Sequence, residues 1–423
     1  MLRSHAGAHR YAWNRGLRLC QERYAAERKW YSAGELHRMW NCDKKVDPDL
    51  AWWSINSKCV YQEAFRDLDR ALHDYIKSVK GERKGRRLGF PKPKKRGRCR
   101  DSFRFSTGAM RCAGSAVRLP RLGTITTHES TRKLARRLDK GTAHILSATV
   151  SRTAHRWHVS FQVEVQRTIP AHHPRPGSAI GVDLGVTTLL TGVDDRGCVV
   201  TVPGPQALKT SLRRLRRASR GHSRKARGSA NRRKAATRLA RVHARVANVR
   251  ADALHKATTD LARRYETVVA EDLNVSGMLA NRHLARAVAD QGFATARRML
   301  GYKTTWSGGR LVTADRWYPS SKTCSGCGWR KPSLTLTERT FECEACGVVL
   351  GRDVNAAINL LNLASSTASG AGTGPGIGTH ACGARVRPVN DRHQALSQEP
   401  GIPDGSKTGT AARQLAAAGK HAR

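Results

Sequence analysis

The sequence predicts a multidomain α+β protein, and three patterns predict it. Apolar residues recur at helical spacing over residues 1–85, and alternating apolar and polar residues mark strands within 86–178. From residue 179, three apolar strand-like segments precede a long basic helical stretch and further strands. At 423 residues the chain is too long for one ordinary core, so several domains are expected.

In the first stretch Trp13, Leu17, Cys20 and Tyr24 share a helix face, and Ser32-Ala-Gly-Glu35 has the form of a capping box. Tyr61, Ala64, Leu68, Leu72, Tyr75 and Val79 form a longer apolar stripe, read as core packing rather than a site. Gly, Pro and basic residues in GERKGRRLGFPKPKKRGRCRDSFRF (81–105) end that helix, and Phe103 and Phe105 open a strand. Basic residues interleaved with aromatics suit a nucleic-acid groove, and a solvated basic loop is an equally good local reading.

Residues 143–150 and 156–165 read as a hairpin with Trp157, Val159, Phe161, Val163 and Val165 on one face. Residues 86–178 are therefore expected to form a small β-barrel-like domain, ending in the proline-rich loop RTIPAHHPRPGS. AIGVDLGVTTLLTGVDDRGCVVTV, from Ala179, holds three strands, with an Asp-Asp-Arg-Gly turn before the third. No acidic residue stands between Asp195 and Asp252, whereas residues 209–250 carry 16 Lys or Arg. Leu239, Val242, Val246, Val249 and Ala253 recur at a/d-like spacing, so the basic helices expected over 205–264 have one packed face. A second helix is expected from about Leu254. Val268-Val-Ala270 and GGRLVTADRW read as strands, and a last helix spans 349–363. The Gly/Ser/Thr/Ala-rich segment 364–423 lacks the apolar residues to fold and is expected to be disordered.

The formal charge is +45, from 77 Lys+Arg against 32 Asp+Glu. Such a field attracts polyanions and neutralises phosphates by counterion release, so nucleic acid is the expected partner. A generally basic proteome explains some Arg-over-Lys excess but not this magnitude. The N-terminus has no apolar signal region and no apolar run reaches transmembrane length, so no membrane partner and a cytoplasmic location are expected.

Of the 11 cysteines, only Cys324, Cys327, Cys343 and Cys346 form a spaced set; Cys20, Cys42, Cys59, Cys99, Cys112, Cys198 and Cys382 are scattered. Each C-x-x-C pair is followed by glycine (Gly328, Gly347), suiting the backbone reversal beyond a metal-binding turn. Four thiolates can close a tetrahedral structural zinc site, which predicts a four-cysteine zinc ribbon over 321–348. A redox C-x-x-C is the alternative, and two matched pairs around a short β-like insert argue against it.

Carboxylates are scarce, so those in apolar strands stand out. Asp183 follows Ile180 and Val182, Glu271 ends the strand before Asp272-Leu, and Asp353 begins the last helix. Singly, each has a structural explanation: a strand-end turn, an arginine partner, a helix cap. Together, with β-β-β-α-β spacing, they suggest a ribonuclease-H-like nuclease domain. In it, Asp183, Glu271 and Asp353 would hold divalent cations, Mg²⁺ and two of them, at a phosphodiester.

GVDLGV (181–186), AEDLNVSGM (270–278), SSKTCSGCG (320–328), CEACG (343–347) and RDVNAAIN (352–359) resemble the transposon-encoded TnpB proteins, relatives of the compact Cas12 nucleases. GFPKPKKRGRCRDSFRF and RADALHKATTDL (250–261) extend the resemblance over most of residues 5–363. It implies an RNA-guided DNA endonuclease whose partners are a guide RNA made from the transposon end and double-stranded target DNA. It also implies that Asp183, Glu271 and Asp353 are the catalytic carboxylates of a RuvC nuclease domain. Residues 1–85 would form a recognition-like lobe and 86–178 a wedge-like module holding guide RNA and the target-adjacent motif. Residues 179–320 would be the first part of the nuclease, with the ribbon inserted before its last helix.

Two departures from the pattern stand out. The family opens with a β-strand, and this chain begins inside a helix at HAGAHRYAWN, so an upstream start or a lost strand is expected. Gly351 stands before Arg352 where the family often has Asp. Two other function classes remain at this point: a non-cleaving nucleic-acid-binding or regulatory protein on the same scaffold, and a DNA transposase working without RNA.

Overall fold

Helices α1 (Leu2–Glu27), α2 (Ala33–Val46) and α3 (Lys58–Val79), with a 3₁₀ segment at Pro48–Ile55 between the last two, form the first part of the chain. Their faces are those the periodicity marks: Trp13, Leu17, Cys20, Tyr61, Ala64, Leu68 and Leu72 are buried. Val79, at the end of the stripe, is exposed. Ser32 and Glu35 cap α2 reciprocally: the Glu35 amide donates to Ser32 Oγ (3.3 Å) and the Ser32 amide to Glu35 Oε2 (2.8 Å). In this computed structural model residues 1–335 and 337–368 are described.

The next section carries β1 (Ser102–Phe105), β2 (Arg111–Ala113), β3 (Ala116–Leu119), β4 (Gly123–Thr126), α4 (Arg132–Asp139), β5 (Ala143–Thr153) and β6 (Arg156–Val165). The strands make two three-stranded sheets, in the orders β1-β5-β6 and β2-β3-β4. Helix α4 has no counterpart in the sequence expectation. The first sheet does not own its core. Phe103 and Phe105, edge-on at 5.6 Å, are buried together with Trp13, Leu17, Phe65 and Val150 in one cluster spanning α1, α3, β1 and β5. The expected boundary at residue 85 therefore runs through a continuous core. Charges cross the same seam. Buried Glu63 of α3 accepts from Arg66 (2.7 Å), Arg104 (3.3 Å) and Ser106 (2.7 Å), so its desolvation is offset by three donors.

From Ala179 the elements are β7 (Ala179–Asp183), β8 (Thr188–Asp194), β9 (Val199–Pro203), α5 (Ala207–Ser223), α6 (Ala230–Arg264), β10 (Thr267–Glu271), α7 (Val275–Ala280), α8 (Ala285–Gln291), α9 (Phe293–Trp306), β11 (Arg310–Ala314), β12 (Thr340–Glu342), β13 (Val349–Gly351) and α10 (Arg352–Ala368). Strands β7 to β11 form one five-stranded sheet in the order β11-β10-β7-β8-β9. β7, β8 and β9 pair antiparallel, while β10 runs parallel to both β7 and β11. α10 lies on this sheet. A Cβ at Gly181 in β7 would overlap the carbonyl oxygen of Ala357 and the amide nitrogen of Leu361, so helix and strand meet backbone to backbone.

Four expectations shift. The helix expected from about Leu254 does not start there: α6 is continuous over 35 residues, and the break falls before Ser229, whose hydroxyl accepts from the Arg232 amide. With Val249 exposed, burial resumes at Leu254, Ala257 and Leu261. Val349, expected in the last helix, instead lies in β13 and pairs with Glu342 of β12. α10 continues past Leu363 to Ala368, and the remainder of the tail expected to be disordered, 369–423, lies outside the described residues, with Cys382. Among the described residues no helix is long and apolar enough to cross a membrane.

Gly181→Ala should lower stability by about 1–3 kcal/mol, seen as a lower thermal midpoint, because neither backbone neighbour can yield freely. Wild-type-like thermal unfolding of that variant would show that helix and strand are not held this closely.

Candidate active site

Sheet topology places the first two carboxylates. β7 and β10 run parallel, with Val182 opposite Ala270, so their C-terminal residues Asp183 and Glu271 emerge at one edge of the sheet. The contact at Gly181 places the third. Asp353 stands four residues before Ala357, about 6 Å along a helix. Asp183 stands two residues beyond Gly181, about 6.6 Å along a strand. The Asp353 carboxylate accordingly reaches the loop after β7, where a Cβ on Gly185 would be 4.0 Å from its Oδ2. Its place in the first turn of α10 also puts a negative charge at the positive end of the helix dipole.

The electrostatic consequence falls on Asp183. Burial first, then the charges of Glu271 and Asp353, push its carboxyl up from 3.8 to about 7, with Arg352 and the Leu184 amide opposing. Glu271 is held by the Ser320 hydroxyl, which donates a short hydrogen bond to Oε1. Arg352 Nε lies 3.8 Å from Asp353 Oδ1. The neighbouring Asp272 pairs with Arg297 and with Arg316, the latter at 2.6 Å. Glu271, Arg297 and Arg316 share the lining of a cavity of about 280 Å³.

The four cysteines converge. Cys324 and Cys327 sit in the turn closed by the Thr323–Arg330 bridge, and Cys343 and Cys346 sit between β12 and β13. Sγ–Sγ distances are 3.6 Å for Cys324–Cys346 and for Cys327–Cys343. Tetrahedral thiolates at a zinc ion, each about 2.3 Å from it, stand about 3.8 Å apart, so the donor set fits that metal. Both turns close alike, the Gly328 amide donating to Cys324 O (3.0 Å) and the Gly347 amide to Cys343 O (2.9 Å). Both glycines are left-handed, at φ 78 and 72. Among the described residues the cysteines are the one group of three or more His, Cys, Asp or Glu whose ligand atoms all lie within 4.8 Å of one another; the three carboxylates stand further apart.

Two asparagines that sequence reasoning passed over join the cysteine turns to the carboxylates. Asn355 Nδ2 donates to Thr323 O (2.7 Å), and its Oδ1 accepts from the Ser325 amide (2.9 Å). Asn359 Nδ2 donates to Ser320 O (2.8 Å) and Thr323 O (2.6 Å). Both are buried, two and six residues along α10 from Asp353. Their spacing in RDVNAAIN, two amides on an otherwise apolar helix face, was the available signal. Ser320, in the same segment, bears on Glu271. The missed helix α9 had its own signal in buried Phe293, Ala296 and Leu300.

The basic stretch forms a hairpin of α5 and α6. Its apolar seam consists of Ala207, Leu215, Val242 and Val246, with Leu208 and Leu239 alongside. Buried Asp290 accepts from the amides of Leu208 (2.8 Å) and Lys209 (3.0 Å), capping α5 from α8. The next residue, Gln291, donates to Val186 O (2.5 Å), in the loop just past Asp183.

Comparison with known proteins bears on this arrangement. Family models described as "Probable transposase", "Cas12f1-like, TNB domain" and "Helix-turn-helix domain" match residues 160–282, 293–360 and 1–29. In this chain the last of these is a single helix, α1. A Mycobacterium tuberculosis protein named "Putative RNA-guided DNA endonuclease" is 37% identical over 345 residues, covering 77% of this chain and 73% of that protein. InsQ of Escherichia coli, of the same name, is 30% identical over 377 residues, covering 85% and 87%. The protein chain in a cryo-EM structure of a Cas12f1-sgRNA-target DNA complex superposes with a TM-score of 0.51 at 15% identity, over 85% of this chain and 82% of that one. That is a likeness of fold, to a multidomain α+β nuclease. On the extent and identity of the bacterial matches, the chain belongs to the TnpB family.

Proposed function

We propose that this protein is an RNA-guided DNA endonuclease of transposon origin, cutting at a RuvC-like site formed by Asp183, Glu271 and Asp353. The observation that carries the reading is Asp183. Its carboxyl is pushed up to about 7 by burial and by two like charges, in a chain whose net charge is +45. Three acidic groups gathered together, with Arg352 only partly offsetting their charge, suit a divalent cation. The donor set is all carboxylate oxygen, which suits Mg²⁺. The sheet supports the ribonuclease-H-like reading, with three antiparallel strands followed by two parallel ones.

Mg²⁺, two ions in this reading, supplies activation of water and charge neutralisation at the scissile phosphate when bound. The chain's own residues do the rest. Asp183 gives up its proton as the local negative charge is compensated. Ser320 fixes the orientation of Glu271, and the first turn of α10 fixes Asp353. Arg297 and Arg316, beside Glu271, bring positive charge to the cavity that a phosphate would enter. Cys324, Cys327, Cys343 and Cys346 hold a structural Zn²⁺, whose turns Asn355 and Asn359 tie to the helix of Asp353.

The partners follow from charge and the family resemblance: a guide RNA from the transposon end and double-stranded target DNA. The helical lobe is assigned to the guide–target heteroduplex and the β-rich section, as a wedge-like module, to guide RNA and the target-adjacent motif. The α5–α6 hairpin, with its basic outer face, is assigned to phosphate contacts.

Asp183→Ala should reduce guide-dependent cleavage by about 10³-fold or more while guide binding stays within about twofold. Cleavage at the parental rate would rule out this site. Asp183 also sets a pH test. Its folded pKa is raised, so without added magnesium its contribution to stability is full below pH 3.8 and is lost as pH rises through about 7. Asp183→Asn should therefore gain on the parent across that interval, by about 1–3 kcal/mol at pH 8, and the gain should shrink when magnesium is added. A pH-independent difference in melting temperature would contradict the charge cluster. Purified protein should hold about one equivalent of zinc, and Cys343→Ser should lose both the metal and cleavage; less than about half an equivalent in the parent would exclude the zinc site.

A further inference from the structure

We propose that Trp317 is a stacking platform for a nucleobase of the strand presented to Asp183, Glu271 and Asp353, an inference that rests on the nuclease reading above. Trp317 is 83% exposed, more than any other large apolar side chain among the described residues. Large aromatic side chains are seldom left so fully in water, and Asp315 and Arg316 stand just before this one in the chain.

The segment that carries it is held at both ends by the same residue, Glu271: at one end through the β-sheet backbone, at the other through its carboxylate. It leaves β11 at Ala314, which stands opposite Glu271 in the sheet, and returns at Ser320, whose hydroxyl bonds Glu271. Its interior is anchored as well. Asp315 Oδ1 accepts from the Trp317 amide at 2.8 Å, Arg316 pairs with Asp272 at 2.6 Å, and Tyr318 Oη donates to Asn359 O at 3.3 Å. Tyr318 packs against the cluster of Val269 and Leu360. Trp317 is thus a large apolar side chain left to solvent on a short segment that is fixed residue by residue beside the site.

The neighbours identify the ligand chemistry. An exposed indole offers a flat π face on which a base can stack. Arg316, one residue away, lines the cavity beside Glu271 and offers positive charge for a phosphate. A ring face next to a guanidinium is the pairing that single-stranded nucleic acid uses, since every base has a π face and every linkage a negative charge. With the indole stacked on one base, the adjoining linkage would be registered toward the carboxylates. A duplex would offer no free base face, so the proposed occupant is unpaired.

The test uses the full-length protein, without magnesium, and a short single-stranded DNA carrying the fluorescent base 2-aminopurine at successive positions. Stacking on the indole should quench the probe at one or two positions. Trp317→Ala and Trp317→Leu should lose that quenching, and Trp317→Phe and Trp317→Tyr should keep it, because ring and not bulk is required. Equal quenching by the parent and Trp317→Ala, or retention by Trp317→Leu, would overturn the proposal. Melting temperatures should match throughout, since the side chain is exposed. With guide RNA and magnesium, Trp317→Ala should cut roughly tenfold more slowly at unchanged guide and target binding; cutting at the parental rate would remove Trp317 from the reaction. The two readings fail separately. If Asp183→Ala cuts as the parent does, the nuclease site falls and the fluorescence still decides stacking. If Asp183→Ala is inactive and Trp317→Ala quenches normally, stacking alone falls.

Discussion

The backbone contact between Gly181 and α10 is the constraint on which the site depends. A helix separated from a sheet by ordinary side chains leaves its first turn free to shift along the strand. Here the Ala357 carbonyl and the Leu361 amide occupy the space of a missing Cβ, which fixes the helix in height and in translation. Asp353 then arrives level with Asp183 because a helix turn and two strand residues advance by nearly the same length. The parallel pairing of β7 and β10 supplies Glu271 at the same edge. One small residue and one strand direction thereby bring together groups separated by up to 170 positions in sequence, Asp183 to Asp353.

Bringing the carboxylates together costs free energy, and the surroundings show how the fold carries that cost. Asp183 is pushed toward the neutral form, Glu271 is tied to Ser320, and Asp353 sits at the favourable end of a helix dipole. The cysteine turns belong to the same arrangement. Asn355 and Asn359 are buried amides that would be expensive if unpaired, and their partners are Thr323, Ser325 and Ser320. Loss of order at the cysteines would therefore expose two buried amides on the helix that places Asp353. Folding of the ribbon and geometry of the carboxylates are coupled through these bonds.

The sequence was most legible where local chemistry decides the outcome. The Ser32–Glu35 capping box, the 143–165 hairpin, the buried strand at 268–270 and the two cysteine turns follow from residue type and spacing, and the structure contains each of them. What could not be read depended on partners distant in sequence. Val249 fits the apolar repeat but stays exposed, because the seam with α5 ends at Val246 and the helix then turns Leu254 toward the sheet core. No glycine or proline interrupts the helix between them, so continuity was the better local reading. The boundary near residue 85 failed for a similar reason: the charged loop ends a helix without ending the core, since Phe103 and Phe105 return to α1 and α3. The three carboxylates were singled out by their scarcity and their apolar settings. Their supports, Ser320 and the two asparagines, carry no such contrast in composition.

Charge distribution separates the parts of the molecule by role. In the first part of the molecule inward-facing charges are paired, Glu63 with Arg66 and Arg104, and Asp101 with Arg10 and Arg152. Along α5 and α6 they are left in excess, with 16 Lys or Arg over residues 209–250 and no carboxylate among them. Like charges at helical spacing repel, so this hairpin gives up stability that alternating charges would have supplied. Its apolar seam is short, and Asp290 caps it from outside its own sequence. Gln291, adjacent to that cap, bonds the loop that follows Asp183. A polyanion bound along the hairpin would relieve the repulsion and steady α5, and the bonds from Asp290 and Gln291 would carry that added rigidity to the loop beside the first carboxylate.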